Sequence, residues 1–176
     1  MSTHAYSRCW LHLIWGTLNR ERMFSPEVAG RVSRFLSDYA RENGICMKTN
    51  FVNADHVHVL IDLPTGMPIE QTTKLFKGAS SHWINEQNLV VGRFGWGRGY
   101  GCFSVSQSDV DRVCAYIAGQ AEHHRVKTFA EEYERFVKAY GLAWQEDQTV
   151  ETVAPVSRQH DPSLKRGVNQ IPQRPT

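Results

Sequence analysis

Residues 55–63, DHVHVLIDL, place two histidines, His56 and His58, one residue apart in a run with strand character. Side chains alternate along a strand, so both imidazoles share a face with Leu60 and Asp62. Val57, Val59, Ile61 and Leu63 form the opposite, apolar face. A half-buried, hydrogen-bonded pair is the ordinary outcome of such spacing. The other outcome is a metal site, because neutral imidazole is the commonest protein metal ligand. The familiar zinc patterns do not fit: the chain has neither H-x-E with P-C-x-x-C nor H-E-x-x-H. A third ligand must come from elsewhere.

A candidate lies in AYIAGQAEHH, where Tyr116 and Gln120 are four residues apart and share a helical face. Alone, Y-x-x-x-Q reads as a core aromatic beside a solvated amide. It gains meaning only next to an H-x-H on an uncovered sheet face. Val113, Ile117, Ala121 and His124 make an adjoining stripe that could seat this helix on a sheet.

The elements that must bring these residues together follow from periodicity. Residues 8–17 alternate as a strand, with Cys9, Leu11, Leu13 and Trp15 on one side and Trp10, His12 and Ile14 on the other. Ser25 and Pro26 open a helix whose apolar positions are Val28, Val32, Phe35, Leu36 and Tyr39, and Gly44 ends it. Residues 45–52 form a second strand, hairpinned to the histidine strand at 55–63. A second helix starts near Pro68 and runs to about Gln87, with Ile69, Thr73, Phe76, Ser80 and Trp83 inward. After a glycine-rich loop, residues 102–106 form a fourth strand. The order β-α-β-β-α-β predicts a ferredoxin-like α+β fold, a four-stranded antiparallel sheet with both helices on the valine face. The histidine face is then open to cover from the C-terminal helices. Capping boxes at Ser108/Asp111 and Thr128/Glu131 open those two helices, the second carrying Phe129, Tyr133, Phe136, Val137 and Tyr140.

The totals bound the answer. The 176 residues suit one domain with a tail, and 41% hydrophobic and 11% aromatic content can build a core. A net charge of +2 is no argument for nucleic acid by itself. Cys9, Cys46, Cys102 and Cys114 are scattered, as expected of reduced thiols in a cytoplasmic protein. No signal peptide or membrane span is visible. Residues 146–176 lack aromatics and hold four of the seven prolines, so they read as a disordered tail after a domain at 1–145.

At the level of motifs the chain resembles the single-tyrosine HUH transposases of the insertion-sequence 200/605 type, from bacterial and archaeal mobile elements. The residues that carry the resemblance are D-H-V-H at Asp55 to His58, Tyr116 with Gln120 on the later helix, WLHLIWGT, GYGCFSVS and HHRVKTFAEEY. It covers roughly residues 6–144. It implies a DNA transposase: a single-strand endonuclease in which His56, His58 and Gln120 hold Mg²⁺ or Mn²⁺ and Tyr116 is the nucleophile. A 5′-phosphotyrosine intermediate and strand transfer would follow. The implied partners are hairpin-bearing single-stranded DNA and a second copy of the chain, with Tyr116 exchanged between protomers. DNA contacts are sought in Arg93, Trp96 and Arg98 of GRFGWGRGYG, in Lys74 and Lys77, and in Arg125 and Lys127. That loop's aromatics could equally tuck into the core. Two other readings share the topology. One is a single-strand binding module of the RNA-recognition-motif type, which would put stacking aromatics where His56 and His58 stand. The other is a domesticated HUH nuclease.

Overall fold

The computed structural model describes residues 6–120 and 129–142. Four strands, β1 (Trp10–Gly16), β2 (Cys46–Val52), β3 (His56–Asp62) and β4 (Gly101–Val105), form one sheet in the order β2-β3-β1-β4. All neighbours are antiparallel. Helices α1 (Pro26–Glu42) and α2 (Ile69–Glu86) fill the two crossovers. This is the expected ferredoxin-like arrangement.

Alternation along the two central strands sorts the core. Leu11, Leu13 and Trp15 of β1 join Val57, Val59 and Ile61 of β3 under Val32, Leu36, Phe76 and Ile84 of α1 and α2. Ser25 caps α1, its hydroxyl accepting from the Val28 amide at 3.3 Å, with Pro26 behind it. Gly44 takes a positive φ of 67° just past the helix end, as a C-terminal stop requires.

The opposite face is covered by α3 (Val110–Ala118) and a further helix, α4 (Phe129–Ala139). Val110 and Ile117 of α3 pack on Trp10 and Leu60. Phe129, Tyr133 and Val137 of α4 pack on Ile14 and Phe103. The capping box expected at Ser108 does not form: a 3-10 turn, Gln107–Asp109, precedes α3, and the Ser106 hydroxyl bonds Asp109 instead. The helix also stops sooner than the pattern suggests, ending at Ala118 with Gly119 as its cap. Thr128, the other expected cap, lies outside the described residues, as does all of the expected tail at 146–176.

The sheet is shaped for α4. A Cβ on Gly101 would stand 2.8 Å from ring carbons of both Phe103 and Tyr133, and one on Gly16 would stand 3.0 Å from the Phe129 ring. Only glycine lets the helix come so close. Gly101→Ala is therefore expected to lower the unfolding free energy by about 1–3 kcal/mol, the usual cost of overpacking. An unchanged urea midpoint would show that α4 does not press on β4.

Candidate active site

β3 carries both histidines onto the α3/α4 face, where both are fully buried. Each is held by its Nδ1 edge. His56 Nδ1 lies 2.6 Å from Asp55 Oδ1, and the Phe129 ring stacks on His56 at 4.3 Å between centroids. His58 Nδ1 lies 3.0 Å from Nε2 of His12, which stands on β1 diagonally across the strand pair. Burial holds the His12 pKa well below the usual histidine value, and neighbouring His58 pushes the same way. His12 is thus neutral. If His58 turns an unprotonated Nε2 to an ion, its Nδ1 carries the proton and His12 Nε2 accepts it.

α4 adds a residue that the sequence pattern did not single out, Glu132. His56, His58 and Glu132 each offer a ligand atom, all within 4.8 Å of one another, and could hold a metal ion. Glu132 Oε2 is 3.6 Å from His58 Nε2. Glu132 Oε1 accepts a hydrogen bond from the Tyr116 hydroxyl and another from Gln120 Nε2 at 2.7 Å. Burial pushes the Glu132 carboxyl up to about 7, against the pull of His56 and Arg135. Gln120 Oε1 is buried and accepts no hydrogen bond among the described residues, which fits a role as metal ligand. Two imidazoles, an amide oxygen and a carboxylate suit Mn²⁺ and tolerate Mg²⁺.

Tyr116 stands on its own chain's site. Its ring centroid is 6.2 Å from that of His58 and 6.3 Å from that of His12. Within the single chain the tight turn at 107–109 sets α3 over its own β2 and β3; the exchange of Tyr116 between protomers, expected from the resemblance, is a property of a dimer and is tested with one. The other tyrosines near the face are engaged elsewhere. Tyr140 donates to the Ser104 carbonyl at 2.9 Å, and burial drives Tyr133 up to about 12.

The residues proposed for DNA contact do not join this cluster. Trp96 packs against Trp15, Phe24 and Phe94 on the far side of the sheet and donates to Ser80 Oγ at 2.9 Å. Lys77 Nζ donates to the carbonyls of Gly97, Arg98 and Gly99 at 2.7–3.2 Å. Burial pushes its pKa down to about 8, and the three carbonyls work against that shift by binding the ammonium form. Trp96 and Lys77 are therefore fasteners of the loop. Lys74 pairs with Glu70 at 2.7 Å, while Arg93 and Arg98 are exposed. Arg125 and Lys127 lie outside the described residues.

Fold and cluster together define a class: ferredoxin-like domains in which an H-x-H strand and a tyrosine on a later helix meet on one sheet face. Residues 5–120 match the family model "Transposase IS200 like", and the chain belongs to that family. It is 31% identical over 114 residues to the ISDra2 transposase TnpA of Deinococcus radiodurans, spanning 62% of this chain and 81% of that one. A crystal structure described as a transposase from Deinococcus radiodurans R1 superposes with a TM-score of 0.54 at 26% identity, over 68% of this chain and 96% of that one. A REP-associated tyrosine transposase, solved bound to a REP hairpin, shares the fold with a TM-score of 0.52 at 17% identity, over 84% and 93% of the two chains. No helix among the described residues is long and apolar enough to cross a membrane.

His12 tests the geometry of the pair. His12→Phe keeps a ring in the same place and removes the nitrogen that meets His58. Mn²⁺ affinity, measured by titration calorimetry, is expected to fall about 10-fold, the lower end of the cost of losing a ligand's hydrogen-bond partner. Wild-type affinity in this variant would mean that His12 does not orient His58.

Proposed function

We propose that this transposase cuts and rejoins single-stranded DNA through a covalent link to Tyr116. One observation carries the reading: the Tyr116 hydroxyl, two buried imidazoles and a buried amide gather at one carboxylate in a chain of the IS200-like family. Tyr116 Oη attacks the phosphorus of a phosphodiester. The new O–P bond replaces the bond to the 3′-oxygen; the phenol loses its proton and the departing oxygen gains one. A phenol with pKa of about 10 leaves more readily than an alkoxide, so a 3′-hydroxyl from another end can reverse the link and join strands.

His56, His58 and Gln120 would hold Mg²⁺ or Mn²⁺, with Glu132 adjoining. Such an ion, when bound, polarises the scissile phosphate as a Lewis acid. Asp55 and His12 keep the two imidazoles turned for that task. The hairpin on the REP-associated relative supports hairpin-bearing single strands as the partner. Excision has two ends to process, so we take the working form to be a homodimer in which each chain uses its own tyrosine. Stacking recognition of the RNA-recognition-motif type finds no support on the central strand, which offers imidazoles buried under α4.

Incubation with hairpin-bearing single strands and Mn²⁺ should give a covalent adduct on a denaturing gel. Tyr116→Phe should abolish the adduct with DNA binding nearly intact, and excess EDTA should abolish cleavage by the wild type. An adduct from the Phe variant would transfer the role to another residue.

Subunit use is tested by mixing two inactive variants. A purified heterodimer of His56→Ala and Tyr116→Phe chains keeps one defect in each site if every chain uses its own tyrosine, so it should stay silent. Restored cleavage would mean that α3 is exchanged after all.

A further inference from the structure

Glu132 is the hub of the cluster, yet nothing about α4 as a helix demands an acid there. The helix docks through Phe129, Tyr133 and Val137, and an uncharged residue at 132 would leave that apolar face intact. A carboxylate removed from water is costly unless it is hydrogen-bonded. Its placement is nonetheless built in, since Gly16 and Gly101 clear the space into which Phe129 and Tyr133 press. Residue 132 also lies beyond the 5–120 stretch that matches the family.

Both donors converge on one oxygen. Tyr116 and Gln120 each give a hydrogen bond to Glu132 Oε1. An amide can donate to a carboxylate only through its nitrogen, so this contact fixes which way round the Gln120 amide stands. Its oxygen is left as the buried acceptor with no hydrogen bond among the described residues. The same contact holds the phenol of Tyr116 at the rim of the histidine pair. We infer that Glu132 is a positioning residue, whose Oε1 sets the Gln120 amide as a ligand and the Tyr116 hydroxyl as a nucleophile at the same time. The inference rests on the metal-assisted, tyrosine-linked reading above and assigns Glu132 its part in it.

The test uses the full chain as wild type, Glu132→Ala and Glu132→Gln. Mn²⁺ affinity is read by calorimetry, and adduct formation on a hairpin-bearing single strand is resolved into kcat and KM. Glu132→Ala should bind Mn²⁺ about 10-fold more weakly, and its kcat should fall about 10- to 100-fold with KM for DNA nearly unchanged. Glu132→Gln keeps an oxygen able to accept from both donors, so it should recover most of both quantities. Should the alanine variant melt early, Glu132→Leu fills the space without an acceptor and takes its place, with the same losses expected. Wild-type behaviour of the acceptor-free variant overturns the inference alone. A glutamine variant as weak as alanine overturns it in favour of direct ligation by the carboxylate charge. A wild type that neither binds Mn²⁺ nor forms an adduct removes the functional reading and this inference together.

Discussion

The constraint on which this structure turns is the burial of polar groups against a sheet. Three imidazoles, an amide and a carboxylate lie between the sheet and its C-terminal helices with almost no exposure. Each such group is destabilising in a low-dielectric interior unless another supplies its hydrogen bond. The chain answers by pairing them in a fixed order. Asp55 meets His56, His12 meets His58, and Glu132 meets Tyr116 and Gln120. Because every contact uses up one edge of a ring or one atom of an amide, the remaining edges are determined. Orientation is thus a by-product of satisfying buried polarity.

That arrangement needs a cover that comes close and stays put. α4 supplies it, and the sheet's sequence is cut to receive it: glycine at the end of β1 and at the start of β4, aromatic rings directly above. Phe129 does two things at once, filling the space over Gly16 and stacking flat on the His56 ring. Packing and site geometry are therefore the same contacts on this face. On the other face they are separate. There α1 and α2 bury a mainly apolar layer, and the glycine-rich loop is pinned by Trp96 and Lys77 without touching the cluster.

Much of this was legible in the sequence, for reasons that differ residue by residue. The fold followed from periodicity and caps, because alternation in β3 and the Ser25–Pro26 start are local signals. His56, His58, Tyr116 and Gln120 stood out because their spacing on a strand and on a helix places each pair on one face. His12 did not, since WLHLIW belongs to a strand buried on both sides, where alternation carries no polarity signal. Glu132 was hidden for the opposite reason. In EEYER it is one acid among several on an amphipathic helix, and only the docking of α4 decides which of them turns inward. For the loop two readings stayed open, because glycine, aromatic and basic residues suit a nucleic acid and a tight buried turn equally well. The backbone carbonyls that claim Lys77 leave no mark in the sequence.

The landing of α3 also sets where Tyr116 stands over the histidine pair. The turn at 107–109 leads straight from β4 into α3, and the helix finds an apolar landing on Trp10 and Leu60. Without a helix there Leu60 and the histidine pair beneath it would be exposed, so the landing must be filled, by this α3 or by that of a second copy. The same holds at Glu132: without the phenol and the amide the carboxylate would have fewer donors at the depth where donors matter most. On this face the stability of the cover and the completeness of the site are one equilibrium.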